Sequence, residues 1–571
     1  MERKQKIVLW SVLIITLLIV STLWLGVVVG RSYERNAAQE TILRLSEFIE
    51  RSRADIEKFN SDVAALESCI SGNDKLMQTI SHVRNHYVDP ISLDTIYEKA
   101  IPALLSELDP HSEYIPAKLF DRVNENLEGE FDGIGIVFNA MTDTITVLSV
   151  IPQGPSDKAG VRAGDRIVRI DGRNVAGQKL SQDSMMRLMR GKRGTLVKLS
   201  IERMGHGRAV EVDVTRAAIE LHSIETAFII DKRSGIGYVR LSQFARTTYK
   251  ELREALAKLR EEGMSSLILD LRGNSGGFLD QAILLANEFL DDEKLIVYTV
   301  DRSGKKQLQC SNGKGGSKEL PLAILVDETS ASSSEILAGA IQDNDRGLII
   351  GRRTFGKGLV QTQIPFSDGS AIRLTIARYF TPTGRSIQKP YTSGDEMSYH
   401  LDIVNRYNHH ELFSADSIHF DESMRFTTPA GRTVYGGGGI MPDIFIPIDT
   451  LYTSEYYNKV WDGNVLYRFT LDFADRNRKA MDGITSLEEL DGVLDGAALM
   501  EEFVKYAERN GIARNDADLR KSGAVIEAQI RAYIGRNAMS DESGYYHNIY
   551  PIDECMQRAV EELRSARKST K

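Results

Sequence analysis

The stretch "LAILVDETSASSSEILAGAIQD", residues 322–343, decides the fold. Its apolar run Ala323 to Val326 has the length of a buried strand, and a serine-rich turn follows. The next residues predict a helix that begins near Ser333 or Ser334. Similar strands and helices alternate from residue 221 to residue 450, which is typical of an α/β layer with a largely buried sheet.

The serine-rich turn is a candidate site of chemistry. A serine between a buried strand and a helix exposes its hydroxyl near the positive end of the helix dipole, which favours an oxyanion. The alternative is that these serines only cap the helix. A nucleophilic serine also needs a base, and no histidine lies close in sequence.

Lys357, in "GRRTFGKGLVQ" (351–361), is the candidate base. Burial lowers a lysine pKa and so increases the neutral fraction that can accept a proton. Lys357 stands at the start of an alternating strand, in which Leu359 and Gln361 share its face. Gln361 can therefore hold the amino group without adding a charge that would raise its pKa.

The same segment resembles a phosphate-binding loop only in part. That loop requires Ser or Thr after its lysine and then a helix, whereas Gly358 and the strand pattern "LVQTQIPF" follow here. We therefore expect no nucleotide, and the chain predicts no cofactor and no metal site. The net charge of −9 gives no general attraction to nucleic acid.

Two further motifs invite a catalytic reading. "GNSGG" (273–277) resembles the sequence around a trypsin-type serine, but it lies between a predicted buried strand and a helix. Its adjacent glycines are better explained as backbone amides that bind a developing negative charge. In "DPHSEY" (109–114), Asp109, His111 and Ser112 are too close in sequence to align readily as a triad, so we expect a turn that packs the small domain.

The remaining chain divides by its patterns. Residues from Gly129 onward carry short strands and turns, and "GIGIVF" followed by "AGVRAGDRIVRIDG" closely resembles a PDZ domain. In that family Gly133, Ile134, Gly135 and Ile136 form the loop that binds a peptide's terminal carboxylate. Residues 451–571 read as helical, and their candidate core residues are Leu487, Leu490, Phe503 and Tyr533.

The N-terminus predicts a membrane anchor. Ile7 to Val29 contains no charged residue and is long enough to cross a bilayer as a helix, and Arg3, Lys4 and Lys6 place the start of the chain in the cytoplasm. The alternative is a cleaved signal peptide. Residues 31–72 then predict either a stalk or a linker helix, and the three cysteines predict no disulfide framework.

Together these motifs resemble the C-terminal processing (tail-specific) proteases, peptidase family S41, which have a crotonase-like α/β core with an inserted PDZ domain. "YVDP", "LILDLRGNSGG", "SASSSEILAGAIQD" and "GGGGIMPDI" carry the resemblance in addition to the segments above. In that family the base follows the nucleophile by 25 positions, so the resemblance implies that Ser332 is the nucleophile and Lys357 the base. It also implies that Gln361 orients the lysine. Ser333 replaces the usual alanine, which leaves Ser334 as the next candidate nucleophile.

The resemblance also implies substrates and a location. We expect an acyl-enzyme mechanism with an oxyanion site formed by the N–H groups of Ser333 and Gly276. Protein substrates would be bound by their C-terminal tails, on the periplasmic face of a Gram-negative inner membrane, with a homo-oligomer or an adaptor left open. The alternative is a non-catalytic PDZ scaffold on a degenerate protease core. The predicted segments are an anchor (1–30), a stalk (31–72), a helical domain (73–127), a PDZ domain (128–218), the protease core (219–450) and a C-terminal helical region (451–571).

Overall fold

The computed structural model describes residues 75–120, 123, 129–139, 144–151, 153–162, 164–203, 207–448, 452–481, 483–539 and 541–569. The chain divides into two compact units between residues 97 and 98. The predicted anchor and stalk lie outside the described residues. Within the described ranges, no helix is both long and apolar enough to cross a membrane.

The predicted helical domain begins with two helices, each of which ends before a proline. Helix α1 ends four residues before Pro90, and α2 ends four residues before Pro110, although α2 itself contains Pro102. A short strand then pairs with the protease core. These elements are α1 (Lys75–His86), α2 (Leu93–Ser106) and β1 (Glu113–Ile115).

The PDZ segment is mainly β structure, as predicted. Its sheet has the strand order β3-β4-β5-β7-β8, with β6 beside β5, and β2 pairs with β9 where the chain enters and leaves. Its strands are β2 (Glu130–Gly133), β3 (Ile136–Asn139), β4 (Ile145–Val150), β5 (Arg166–Ile170), β6 (Arg173–Asn174), β7 (Leu196–Glu202), β8 (Val210–Thr215) and β9 (Ala217–Glu220); its helices are α3 (Pro155–Lys158) and α4 (Gln182–Met189).

Two sheets form the predicted protease core. The strands of the first part are β10 (Ile224–Asp231), β11 (Ile236–Leu241), β12 (Ser266–Asp270), β13 (Leu295–Asp301), β14 (Lys306–Cys310), β15 (Leu322–Val326), β16 (Leu348–Gly351), β17 (Leu359–Pro365) and β18 (Ala371–Phe380). Its helices are α5 (Thr248–Glu261), α6 (Leu279–Phe289) and α7 (Ser333–Asp343), so α7 begins where the serine-rich turn predicts it.

Residues 391–430 differ from the long polar excursion that their pattern suggests. They contain helices α8 (Glu396–His400) and α9 (Asp402–Asn408), 3-10 turns at Ala415–Ser417 and Glu422–Met424, and strand β19 (Arg425–Thr427). Buried Tyr399 and Arg406 hold this segment to the core through polar contacts, which hydrophobic periodicity does not register. Strands β20 (Thr433–Tyr435) and β21 (Ile444–Phe445) follow.

The main sheet has the order β10-β11-β12-β15-β16-β21, and every pair after the first is parallel. Its strands are apolar on both faces because α5, α6 and α7 cover one face and a C-terminal helix covers the other. The second sheet has the order β1-β18-β13-β14, with β17 paired to β18. These strand ends bring the serine turn and Lys357 to one cleft.

The C-terminal region is helical, as predicted. Leu490 and Phe503 are fully buried in its core, and Leu487 and Tyr533 pack against that core. The helices are α10 (Glu455–Asp462), α11 (Val465–Arg476), α12 (Arg478–Met481), α13 (Leu487–Asp495), α14 (Leu499–Arg509), α15 (Asp516–Ala538), α16 (Ser543–Ile549) and α17 (Glu554–Ser569), with a 3-10 turn at Tyr550–Ile552. Helix α17 is the one that covers the second face of the main sheet.

Candidate active site

Ser332 and the first two residues of α7, Ser333 and Ser334, have different surroundings. Ser334 is fully buried and donates its hydroxyl to the carbonyl of Asn274 at 2.9 Å. Ser333 donates its hydroxyl to the carbonyl of Gly277, also at 2.9 Å. In the part of the chain that the structure describes, Ser332 Oγ donates to no acceptor, so its hydroxyl proton is the one left for chemistry.

Ser332 also has the strained backbone that is common at functional sites. Its φ is +54° and its ψ is −113°, which places a non-glycine residue in a sparsely populated region. It precedes the first residue of α7 and lines a cleft of about 1000 Å³. The same cleft is lined by Ser275, Gly276, Gly277, Ser333, Lys357 and Gln361.

Glu335 is a functional residue that the sequence reading missed. Its side chain is fully buried, and one carboxylate oxygen accepts the N–H groups of Ser332 and Lys357, both at 2.9 Å. The other oxygen accepts the N–H of Gly356 at 2.7 Å and the hydroxyl of Thr354. Burial raises the pKa of this carboxyl to about 7, although the hydrogen bonds oppose the shift.

A signal for Glu335 was present in the sequence. Ser332 and Glu335 form a capping box, in which the side chain of the third helical residue accepts the backbone N–H of the residue that precedes the helix. The spacing S-x-x-E is visible in "SSSE". What no local pattern could reveal is that the same carboxylate also binds the backbone of residues 354–357.

Lys357 has the partner predicted for it. Its amino group donates to Gln361 Oε1 at 2.9 Å, and Gln361 Nε2 in turn donates to the carbonyl of His111. Burial is the largest cause of a lowered Lys357 pKa, and the nearby charge of Arg373 lowers it further. The carboxylates of Glu113, Glu335 and Asp109 act in the opposite direction.

Ser332 and Lys357 face one cleft, but among the described residues no hydrogen bond joins Ser332 Oγ to Lys357 Nζ. Tyr379 instead connects their backbones. Its hydroxyl donates to the carbonyl of Lys357, and its hydroxyl oxygen lies 3.2 Å from the carbonyl oxygen of Ser332. Tyr379 is buried, and burial raises its pKa, so it remains a donor. Catalytic hydrogen bonds are often long in the absence of substrate.

The amide of Gly276 is not free for the oxyanion role predicted for it. In this structure its N–H donates to Asn274 Oδ1 at 2.9 Å, within the turn itself. Gly276 does lie against the nucleophile turn, since a side chain on it would come within 2.8 Å of Ser332 Cβ. Close approach, with a φ of +103°, explains why glycine is required there.

Gly277 is the better placed of the two glycines. The carbonyl of Gly276 and the N–H of Phe278 both bond to Phe244, so the groups of Gly277 between them face the other way. The Gly277 carbonyl accepts the Ser333 hydroxyl, which shows that this side faces the nucleophile turn. Gly277 also lines the cleft. Ser275 is exposed, and in the part of the chain that the structure describes its hydroxyl makes no hydrogen bond to a histidine.

The "DPHSEY" turn is not a triad. Asp109 accepts the hydroxyl of Ser112 at 2.6 Å and the N–H of His111 at 2.9 Å, so its carboxylate closes its own turn. His111 faces Tyr399, with 2.8 Å between its Nε2 and the hydroxyl oxygen. The sequence predicts that this turn packs within the small domain, whereas its His111 contacts Tyr399 and Gln361 of the core. Through the His111–Gln361 bond it also supports the proposed base.

A buried ionic network lies behind the "GNSGG" turn. Asp270 is fully buried and pairs with Arg240 at 2.8 Å and with Arg272 at 2.7 Å. Arg272 extends to Asp553 of the C-terminal region at 2.9 Å. The network holds the end of β12, and with it the start of the turn. In the described parts of the chain, no three His, Cys, Asp or Glu residues could hold a metal ion.

Comparison with known proteins identifies the core. Residues 235–396 match peptidase family S41, and residues 133–214 match a PDZ domain. The carboxy-terminal-processing protease of Bartonella bacilliformis is 39% identical over 314 residues, which cover 54% of this chain and 70% of the relative. The chain belongs to the carboxy-terminal-processing proteases.

A second curated relative belongs to the same family. The processing protease CtpA of Bacillus subtilis is 33% identical over 334 residues, covering 58% of this chain and 70% of the relative. The solved photosystem II D1 C-terminal processing protease is 26% identical and covers 66% of this chain and 93% of its own, with a TM-score of 0.34. Residues 456–540 match a family of unknown function.

The loop predicted to bind carboxylate lies at the free edge of the PDZ sheet of this serine protease. Gly133 ends β2, Ile136 begins β3, and Gly135 between them has a φ of +73°. The carbonyls of Ile134 and Gly135 accept the N–H groups of Ser156 and Ile151. Strand β3 pairs only with β4 among the described strands, so its outer edge is available for an added strand.

Proposed function

We propose that this C-terminal processing serine protease cleaves peptide bonds with Ser332 as nucleophile and Lys357 as base. The observation that carries the proposal is the pairing of two features in one cleft. Within the described ranges, Ser332 has the one hydroxyl of its turn that is not donated to the protein. Lys357 is a partly buried amine with a neutral partner, Gln361.

The reaction follows from these groups. Neutral Lys357 takes the hydroxyl proton as Ser332 Oγ bonds to the substrate carbonyl carbon. When the tetrahedral intermediate collapses, the C–N bond breaks, and the lysine gives its proton to the leaving amine. Water then attacks the acyl-enzyme, Lys357 accepts a proton from it, and the proton returns to Ser332 as the acid product leaves.

The developing oxyanion is proposed to bind two backbone N–H groups. The first is that of Ser333, at the N-terminus of α7, where the helix dipole also favours negative charge. The second is that of Gly277, because its polar groups face the Ser332–Ser333 turn, while the Gly276 N–H is donated to Asn274.

We further propose that the PDZ domain selects substrates by their C-terminal tails. The tail would add a strand to the outer edge of β3, and its carboxylate would lie at the Gly133–Ile136 loop. Residues 7–29 are proposed to anchor the enzyme in the inner membrane of a Gram-negative cell, with the protease in the periplasm. The substrates would then be envelope proteins.

The test is an assay of the full-length chain, purified in mild detergent, on an unfolded protein with an apolar C-terminus. Ser332→Ala and Lys357→Arg should each lower cleavage by at least about 10³-fold, since arginine stays charged at any working pH. Ser275→Ala, an exposed serine of the same cleft, is the matched control and should cleave as the wild type does. Undiminished cleavage by Ser332→Ala or by Lys357→Arg would disprove the dyad.

A further inference from the structure

A second cleft lies between the PDZ domain and the C-terminal helical region. Phe138 at the end of β3 and Gln182 at the start of α4 form its PDZ side. Trp461, Tyr467 and Tyr533, from three helices of the C-terminal region, form its other side. The cleft has a volume of about 870 Å³, and we call it the aromatic cleft.

The two domains meet here through a close contact. A side chain at Gly164 of the PDZ domain would overlap the guanidinium of Arg478, and Arg166 lies 3.8 Å from Asp475. This contact borders a neighbouring cleft that is again lined by both domains. The helical region therefore packs against the PDZ domain.

The direction of a bound tail leads into the aromatic cleft. If the carboxylate lies at Gly135, before β3, an antiparallel added strand places earlier substrate residues beside Phe138 and Asn139, at the far end of β3. Because β3 has four residues, the fourth residue from the C-terminus of an added strand reaches its end at about 3.4 Å per residue, and the fifth and sixth extend beyond it. Phe138 is a wall of the aromatic cleft at this point.

The cleft offers rings that are already held in place. Tyr467 packs edge-on against Tyr533, with 5.4 Å between ring centroids, and Trp461 stacks on Tyr457 at 6.1 Å. Gln529 donates to the Tyr457 hydroxyl at 2.9 Å. Trp461 is nonetheless 48% exposed, a large apolar surface that a ligand would cover.

Charge at the cleft also favours an apolar occupant. Its charged lining residues are Asp462 and Arg536. Arg536 is paired with Glu542 at 2.7 Å and lies 4.1 Å from the ring of Tyr545, so its charge is compensated within the protein. The aromatic lining residues are Phe138, Trp461, Tyr467 and Tyr533, and Leu148, Val460 and Leu466 add aliphatic surface.

We propose that the aromatic cleft is an upstream subsite of the PDZ groove. It would bind a large apolar or aromatic side chain roughly four to six residues before the substrate's C-terminal carboxylate. This inference rests on the proposed recognition of tails by the PDZ domain. It gives the C-terminal helical region a role in substrate selection.

The test uses full-length Ser332→Ala protein in detergent and three fluorescein-labelled nine-residue peptides. All three end in the same three apolar residues, and the fourth, fifth and sixth residues from the C-terminus are all Phe, all Ser or all Lys. The Phe peptide should bind about tenfold more tightly than the Ser peptide, which is the order expected for burying one large apolar side chain. Equal binding, or a preference for Lys, would overturn the subsite.

Variants then locate the effect. Trp461→Ala and Tyr467→Ala should remove the preference for Phe and leave binding of the Ser peptide unchanged, which also shows that the PDZ domain remains folded. Trp461→Phe should restore most of the preference. Tyr452→Ala, an exposed aromatic of the same helical region outside the cleft, is the control and should retain the full preference. A preference that survives both cleft variants would contradict the proposal.

The outcomes also separate this inference from the proposed tail recognition. Amidation of the C-terminus should weaken all three peptides, because it removes the carboxylate that the Gly133–Ile136 loop is proposed to bind. If amidation has no effect, or no peptide binds, tail recognition fails and the subsite fails with it. If amidation weakens binding but the Phe and Ser peptides bind equally, only the subsite is lost.

Discussion

Ser332 and Lys357 donate their backbone N–H groups to the same atom, Oε2 of Glu335, each at 2.9 Å. The proposed nucleophile and base are 25 residues apart in sequence, and this buried carboxylate joins the two segments on which they lie. The distance between the reacting groups therefore depends on a residue that does not face the cleft. Glu335 is a positioning residue.

Glu335→Gln should be strongly defective, although glutamine has almost the same shape. Each carboxylate oxygen accepts two hydrogen bonds, whereas the amide nitrogen that replaces one of them in glutamine can accept none. We expect the free energy of unfolding to fall by about 2–5 kcal/mol and kcat to fall by about 10²-fold or more. Thermal unfolding and steady-state kinetics measure the two effects. Glu328→Gln, whose partner is Arg352, should change neither by much; a fully active Glu335→Gln enzyme would refute the positioning role.

Gln361→Glu tests whether Lys357 acts as a neutral base. A carboxylate beside the amino group favours its charged form and should raise the Lys357 pKa by about 1–2 units. Because the neutral amine is the active form, the rising limb of the pH profile of kcat/KM should move to higher pH by the same amount. Gln309→Glu adds a charge elsewhere in the cleft and should shift the pH profile much less. An unshifted profile in Gln361→Glu would contradict the assignment of the base.

His111 should make the protein sensitive to acid. Burial, with a smaller effect from Lys357, lowers its pKa from 6.5 to about 3. The folded protein then binds fewer protons than the unfolded chain between these values, so this stability is present above pH 6.5 and is lost as the pH falls towards 3. Between pH 7.5 and pH 5.0 the loss is about 2 kcal/mol.

His111→Gln removes the titrating group, so it should lose less stability than the wild type over this range. Denaturation at the two pH values measures the difference, and exposed His409→Gln is the control. An acid loss that is the same in His111→Gln as in the wild type would assign the effect to other groups.

Covalent labelling should distinguish Ser332 from its neighbours. An electrophile such as a fluorophosphonate should modify Ser332 alone, since Ser333 and Ser334 donate their hydroxyls to backbone carbonyls. Peptide mass spectrometry of the labelled protein locates the adduct. Ser334→Ala should still be labelled and Ser332→Ala should not. An adduct on Ser334 in the wild type would reverse the assignment made from the family spacing.

The sequence alone predicts the features of the site that depend on local spacing. The strand, turn and helix around Ser332 follow from apolar patterning, and the Lys357–Gln361 pair follows from the two-residue period of a strand. Ser332 was ranked above Ser334 by its spacing from Lys357, and the hydrogen bonds of the turn support that order. The match to peptidase family S41 and to a PDZ domain confirms the resemblance.

Features that depend on distant contacts were not predictable in this way. The acceptor of the Gly276 N–H is a side chain of its own turn, which composition does not reveal. Residues 391–430 lack a hydrophobic period, yet they supply Tyr399, which holds His111 beside the base. The helical content of the C-terminal region was predicted, but its contact with the PDZ domain was not.

Helix α17 is synthesised after all the strands of the sheet that it covers. Its residues Cys555, Met556 and Val560 cover a face of the main sheet whose own strands lie between residues 224 and 445. At about 5–20 residues per second, a ribosome needs several seconds or more to travel from β21 to this helix. During that interval one face of the sheet is bare, and Arg272, beside the proposed oxyanion turn, still lacks Asp553. The ion pair between Arg272 and Asp553 can therefore form only after the C-terminal region has been synthesised.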